Sequence, residues 1–151
     1  MDRTYAISGF HHMKSSNITI RILLLFLIAG LSAASAPLGW CMDKRGYQNI
    51  SVEKLKEMLK QKDFVLVNVH IPYAGEISQT DLLIPYHSIE SHKNLLPADK
   101  NAPIVVYCLS GPMGYIAAEK LVKLGFKKVF HMEAGMMGWT NRGHRLLFRK
   151  N

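Results

Sequence analysis

Ile104-Val105-Val106-Tyr107-Cys108-Leu109-Ser110-Gly111-Pro112-Met113-Gly114-Tyr115 is the stretch from which the fold of this 151-residue chain is read. An apolar, β-prone run from Ile104 to Tyr107 delivers one cysteine into a Gly/Ser/Pro loop, and a helical pattern of alanine, leucine and lysine follows directly. Strand, tight loop and helix in that order form half of a parallel α/β unit. Such a loop turns backbone N–H groups inward, and with the positive end of the helix dipole they make a cradle for an anion. A thiolate at Cys108, or the persulfide it forms by taking up a second sulfur, is such an anion. A lone cysteine is by default a small buried hydrophobe. Placement at a strand-to-loop junction, ahead of two glycines and a proline, argues for chemistry instead, provided the thiol stands clear of the apolar interior.

Outward from this stretch the pattern repeats. Phe64 to Val69 is apolar nearly throughout, as in a strand buried on both faces, and His70 closes it. Lys128 to Met132 reads as a third strand. Ser51 is a good N-cap for an amphipathic helix through Lys60, with Val52, Leu55 and Leu59 on its inner side. Ala117, Ala118, Leu121 and Leu124 give the helix after Cys108 an apolar face, and Gly125 caps it. Ala134-Gly135 then turns the chain into a last amphipathic segment whose apolar positions are Met137, Trp139, Leu146 and Leu147. Residues 71–96, with Pro72, Gly75 and Pro85, read as an irregular connection carrying short pieces near Leu82-Leu83-Ile84 and Ile89. Loops after parallel strands gather at one edge of the sheet, so His70, Cys108 and Glu133 are expected around a common crevice. The ordinary role for His70 is a strand-end hydrogen bond, and for Glu133 a structural one.

Hydrophobic residues make up 48% of the chain, enough for one compact domain once the N-terminus is set aside. Residues 22–40 carry no charge, are rich in Leu, Ile and Ala, and follow Lys14 and Arg21. With the small-residue run Ser32-Ala33-Ala34-Ser35-Ala36 they read as an export signal over residues 1–36, cleaved near Ala34 or Ala36, or as an uncleaved membrane anchor. Residues 1–12 fit a mis-assigned start, since Met13-Lys14 opens a more ordinary signal. Either reading sends the rest outside the cytoplasm, to a periplasmic or other extracytoplasmic location, free or anchored to the inner membrane. The remainder divides into a linker, 37–46, and a domain, 47–148.

The formal net charge is +8. Removing Arg3, Lys14, Arg21 and Asp2 leaves 16 basic and 10 acidic residues. Lys120, Lys123, Lys127 and Lys128, and Arg142, Arg145, Arg149 and Lys150, read as a solvated surface. No basic-aromatic interleaving or nucleic-acid motif accompanies them, so no nucleic-acid partner is expected. With two cysteines, Cys41 and Cys108, no CxxC pair and no His/Cys cluster at ligand spacing, neither a metal nor a cofactor is expected. Met113, Met132, Met136 and Met137 read as core and loop filling. Cys41 reads as a linker residue, with pairing to Cys108 or lipidation as alternatives; bulky Trp40 before it speaks against lipidation.

Two motifs resemble the rhodanese-like (sulfurtransferase) family. Val106 to Gly114 is similar to that family's active-site loop, written Cys-Arg-Ser-Gly-x-Arg-Ser, and Val129 to Trp139, with Gly143 beyond, is close to its segment ending Gly-Gly-x-x-x-Trp-x-x-x-Gly. Phe64 to His70 is similar to the strand that usually ends Asp-Val-Arg. The resemblance spans the folded part of the chain. It implies a three-layer α/β domain with a central, mostly parallel sheet flanked by helices. It also implies that Cys108 is the catalytic residue and that Leu109, Ser110, Gly111, Pro112, Met113 and Gly114 form the substrate-binding loop; the sheet edge, not the resemblance, puts His70 nearby. Leu109 and Met113 replace the two common arginines, and Asn68 and His70 replace the Asp and Arg of the earlier strand. Without guanidinium groups a bidentate hold on thiosulfate is lost, which favours a less charged donor or a protein persulfide.

The resulting expectation is an exported sulfurtransferase that moves sulfane sulfur from a small-molecule or protein donor, through a Cys108 persulfide, to a thiol or cyanide. The alternative is a non-catalytic module that senses persulfide or binds protein. Cysteine phosphatases place an arginine six residues after the cysteine. Gly114 stands there, which argues against phosphatase chemistry.

Overall fold

The computed structural model describes residues 45–149, which fall within the compact unit Trp40–Asn151. The signal or anchor assigned to 1–36, Cys41 and most of the 37–46 linker lie outside the described residues. Five strands form one sheet: β1 (Gln48–Ile50), β2 (Val65–Asn68), β3 (Leu82–Leu83), β4 (Ile104–Tyr107) and β5 (Val129–Met132). Their order is β1-β5-β4-β2-β3, and every pairing is parallel. Three helices cover it: α1 (Val52–Met58), α2 (Pro112–Lys123) and α3 (Gly135–Asn141). This is the three-layer α/β architecture that the strand-helix alternation implies.

Two apolar layers hold the sheet. On one face Val67, Val69, Ile104 and Val106 meet Ala117, Ala118 and Leu121 of α2, together with Ile84, Ile89 and Leu96 from the long connection. On the other, Leu66, Val105, Tyr107 and Phe130 meet Val52 and Leu55 of α1 and Met136 and Trp139 of α3. Every residue of β4 and β5 is buried, and apart from His131 in β5 both read as apolar runs. The Tyr107 hydroxyl is polar as well. It accepts the Ile77 N–H at 3.0 Å and lies 2.6 Å from Thr80 Oγ1, so the irregular connection is pinned to the central strand.

Local signals set the helix ends. Ser51 Oγ accepts the Lys54 N–H at 3.1 Å, the N-cap expected of it. Pro112 opens α2, where its missing N–H has no partner to lose, and the Leu124 and Gly125 amides close it on the Lys120 and Val122 carbonyls. Three expectations change. β1 was not anticipated, because Gln48–Ile50 is too short and polar to show a pattern; its register with β5 supplies the strand. Met137 and Leu147, expected on an inward face, are 51% and 49% exposed. α3 is only seven residues long, and beyond it Leu147 forms an isolated antiparallel bridge with Glu76, so helical periodicity does not govern the tail.

Candidate active site

Cys108 is the first residue past β4, the middle strand, with β5 on one side and β2 on the other. Alternation along the strand puts its side chain on the face that carries Val106 and Val69, beneath α2. It is a free cysteine and only 1% exposed. The expectation of a thiol clear of the apolar interior is therefore corrected: the sulfur lies on the floor of the loop, with the aliphatic layer below. One polar group reaches it. Gly111 donates its backbone N–H to Cys108 Sγ at 3.0 Å.

The neighbouring junction fixes the direction of this loop. Met136 and Met137, at the head of α3, donate their amides to the carbonyls of Cys108 and Leu109 at 2.8 and 2.9 Å. In a planar trans peptide the N–H points opposite to the C=O, so drawing these two carbonyls toward α3 turns the amides of Leu109 and Ser110 the other way. Two glycines make the approach possible. Gly111 has φ +116°, and a Cβ on it would come 2.7 Å from the Glu133 carbonyl oxygen. Gly135 has φ +58°, and its Cβ would come within 2.6 Å of the Cys108 carbonyl and closer still to that of Leu109. A side chain at either position separates the two loops.

The other loop residues divide by role. Leu109 and Met113, which stand where the resembling family has arginines, are half-buried and pack against opposite cores, Leu109 on the α3 side and Met113 on the α2 side. They anchor the loop and bring no charge to the sulfur. Ser110 and Pro112 are exposed, and Gly114 is buried. Glu133 is exposed, and its carboxylate accepts the Asn49 side-chain N–H at 3.1 Å. His70 stands two residues past β2, and it is Val69, between them, that shares a layer with Cys108. The His70 backbone N–H is taken by Asn68 Oδ1 at 3.0 Å, its buried Nδ1 has no hydrogen-bond partner among the described residues, and burial lowers its pKa. His70, Cys108 and Glu133 thus all lie just past the same ends of parallel strands, and Asn68 rather than Cys108 takes the His70 amide.

Sequence reasoning passed over His131. It is 4% exposed on β5, on the same sheet face as Cys108, and burial pulls its pKa down to about 4. The signal was available: a lone histidine inside an otherwise apolar, two-sided buried strand.

The arrangement gives the sulfur, as thiol or persulfide, one backbone hydrogen-bond donor, the Gly111 amide. Among the described residues no group of three or more His, Cys, Asp or Glu is placed to hold a metal.

A family model described as a rhodanese-like domain matches residues 51–142. A sulfurtransferase of Allochromatium vinosum is 30% identical over 99 residues, which cover 62% of this chain and 89% of that protein. The thiosulfate sulfurtransferase GlpE of Coxiella burnetii is 30% identical over 95 residues, 62% of this chain and 87% of that protein. The crystal structure of a rhodanese-like domain protein from Staphylococcus aureus superposes with a TM-score of 0.58 at 26% identity, over 69% of this chain and 99% of that one.

Proposed function

The chain belongs to the rhodanese-like domain family, and from that premise we propose that it is a sulfurtransferase whose sulfur carrier is Cys108. The Cys108 thiolate attacks the outer sulfur of a donor R–S–SH. The donor S–S bond breaks, its electron pair leaves with R–S⁻, and Cys108 becomes a persulfide. An acceptor thiolate or cyanide then takes the outer sulfur, and its electron pair in turn breaks the bond to Cys108 and restores the thiolate. No net oxidation occurs, and no cofactor is needed.

One observation carries this reading: the Gly111 N–H lies on Cys108 Sγ at 3.0 Å, at the head of α2. Leu109 and Met113 packed into the two cores, where guanidinium groups would grip an oxyanion, favour a persulfide donor, small or protein-borne, over thiosulfate. Mass spectrometry of the full chain incubated with a low-molecular-weight persulfide or with thiosulfate tests both points. One added sulfur on Cys108, faster from the persulfide and absent in Cys108→Ser, is the expected result. No adduct on Cys108 with either donor refutes the reading.

The 1% exposure of Cys108 favours a second reading, a module that carries or senses persulfide without turnover. Steady-state assays with a thiol acceptor separate the two, since loading without turnover identifies the module. From the apolar segment 22–40 we further propose export, as a cleaved or an anchored protein. N-terminal sequencing of the mature chain distinguishes these; a start at Met1 in a cytosolic fraction refutes both.

A further inference from the structure

Beneath the first turn of α2 sits a histidine that the sulfur chemistry leaves unused. His131 pairs in register with Val106 on one side and Asn49 on the other. Val129 and His131 face the same side of the sheet, as do Val106 and Cys108, so His131 and Cys108 are diagonal neighbours under α2.

Hydrogen bonds fix the ring and its tautomer. Asn49 Nδ2 can only donate, and it donates to Glu133 Oε2 at 3.1 Å. Asn49 Oδ1 is left facing His131 Nδ1, also at 3.1 Å, which makes Nδ1 the protonated nitrogen. Nε2 therefore carries a bare lone pair, buried and without a hydrogen-bond partner among the described residues. It is aimed at Gly114: a Cβ there would come within 2.5 Å of Nε2 and 3.7 Å of the Cys108 amide nitrogen. The imidazole is thus a spacer between β5 and the head of α2. A leucine would fill such a space without burying an unsatisfied acceptor.

We propose that His131 is a positioning residue for the sulfur: steered by Asn49 and Glu133, it holds the head of α2 at the height where the loop amide meets Cys108 Sγ. The ring must stay neutral to do so, because an imidazolium would drive a second N–H into the turn. Its surroundings enforce that. Burial is the main cause of its lowered pKa; the Gly111 backbone opposes it, and Arg45 lowers it by less than the Gly111 backbone raises it. The Tyr47 ring packs edge-on at 6.3 Å, and Glu133 is linked to the ring through Asn49.

The test is the pH dependence of Cys108 alkylation by iodoacetamide in the full chain, with folding followed by circular dichroism. His131→Ala is expected to move the pH–rate profile upward and to slow alkylation at neutral pH by about fivefold, the scale of a helix-end charge interaction. His131→Gln, which restores an acceptor near Nε2, should recover much of the rate. Asn49→Ala keeps the imidazole but frees its ring, and should shift the profile part of the way. A folded His131→Ala with the wild-type profile overturns the proposal. Should His131→Ala not fold, Asn49→Ala decides it, and an unshifted profile there overturns it equally. A spacer that only stabilises the fold would lower the melting temperature and leave the profile in place. Alkylation needs no sulfur donor, so this outcome is independent of whether the protein transfers sulfur.

Discussion

Two junctions lie side by side at the sheet edge, and they use the same parts. Each follows a buried four-residue strand, turns on a glycine of positive φ and begins a helix: β4 to α2 through Gly111, β5 to α3 through Gly135. They differ in what the amides meet. At the second junction Met136 and Met137 donate to the carbonyls of Cys108 and Leu109, groups that stay acceptors under all conditions. At the first, the Gly111 amide donates to a sulfur that can be thiol, thiolate or persulfide. On the proposed reading one junction is scaffold and the other is site. The Cys108 loop owes its direction to its neighbour, and the proposed reactivity depends on which acceptor an ordinary amide is given.

Mutating each turn glycine separates the roles. Gly135→Ala should have the largest effect, because its Cβ meets two carbonyl oxygens of rigid backbone, and the Met136 and Met137 hydrogen bonds must open to make room. A loss of about 4 kcal/mol in denaturant unfolding is expected, with sulfur loading of Cys108 abolished. Gly111→Ala touches one oxygen, that of Glu133, and adds strain at φ +116°. It should lower stability by about 3 kcal/mol and suppress loading in the fraction that remains folded. Full loading by folded Gly111→Ala would erase the distinction between scaffold and site.

Much of this was legible because it is local. The apolar run into Cys108, the Ser51 cap, the alanine-leucine face of α2 and its stop at Gly125 each depend on neighbours a few residues away. What escaped the sequence depends on distant ones. β1 exists through its register with β5, some eighty residues later in the chain. The burial of Cys108 follows from strand alternation continuing one residue past β4 and from α2 lying over it. Leu109 and Met113 read as missing charges, whereas the structure shows two anchors, one for each core. His131 gained its importance only once Asn49 and Gly114 were found on either side of it. His70, two residues past β2, was sought for its position in the chain, but strand alternation gives the shared layer to Val69.

Acidification should affect the site junction through His131. Its folded-state pKa, about 4, lies below the ordinary 6.5, because burial disfavours the charged ring. The unfolded chain therefore binds the extra proton first, and stability must fall as the pH drops from about 6.5 toward 4, being fully present above that window. His70, lowered by burial as well, acts in the same direction. Between pH 7 and 5 the expected loss from His131 is about 2 kcal/mol, from 1.36 kcal/mol per unit over the part of the window crossed. Urea unfolding at a series of pH values measures it, and His131→Gln should flatten most of the slope. Equal slopes in the two proteins would mean that the imidazole is already solvated in the native state. Nothing would then hold Nε2 dry against Gly114, and the head of α2 would have to take its height from packing alone.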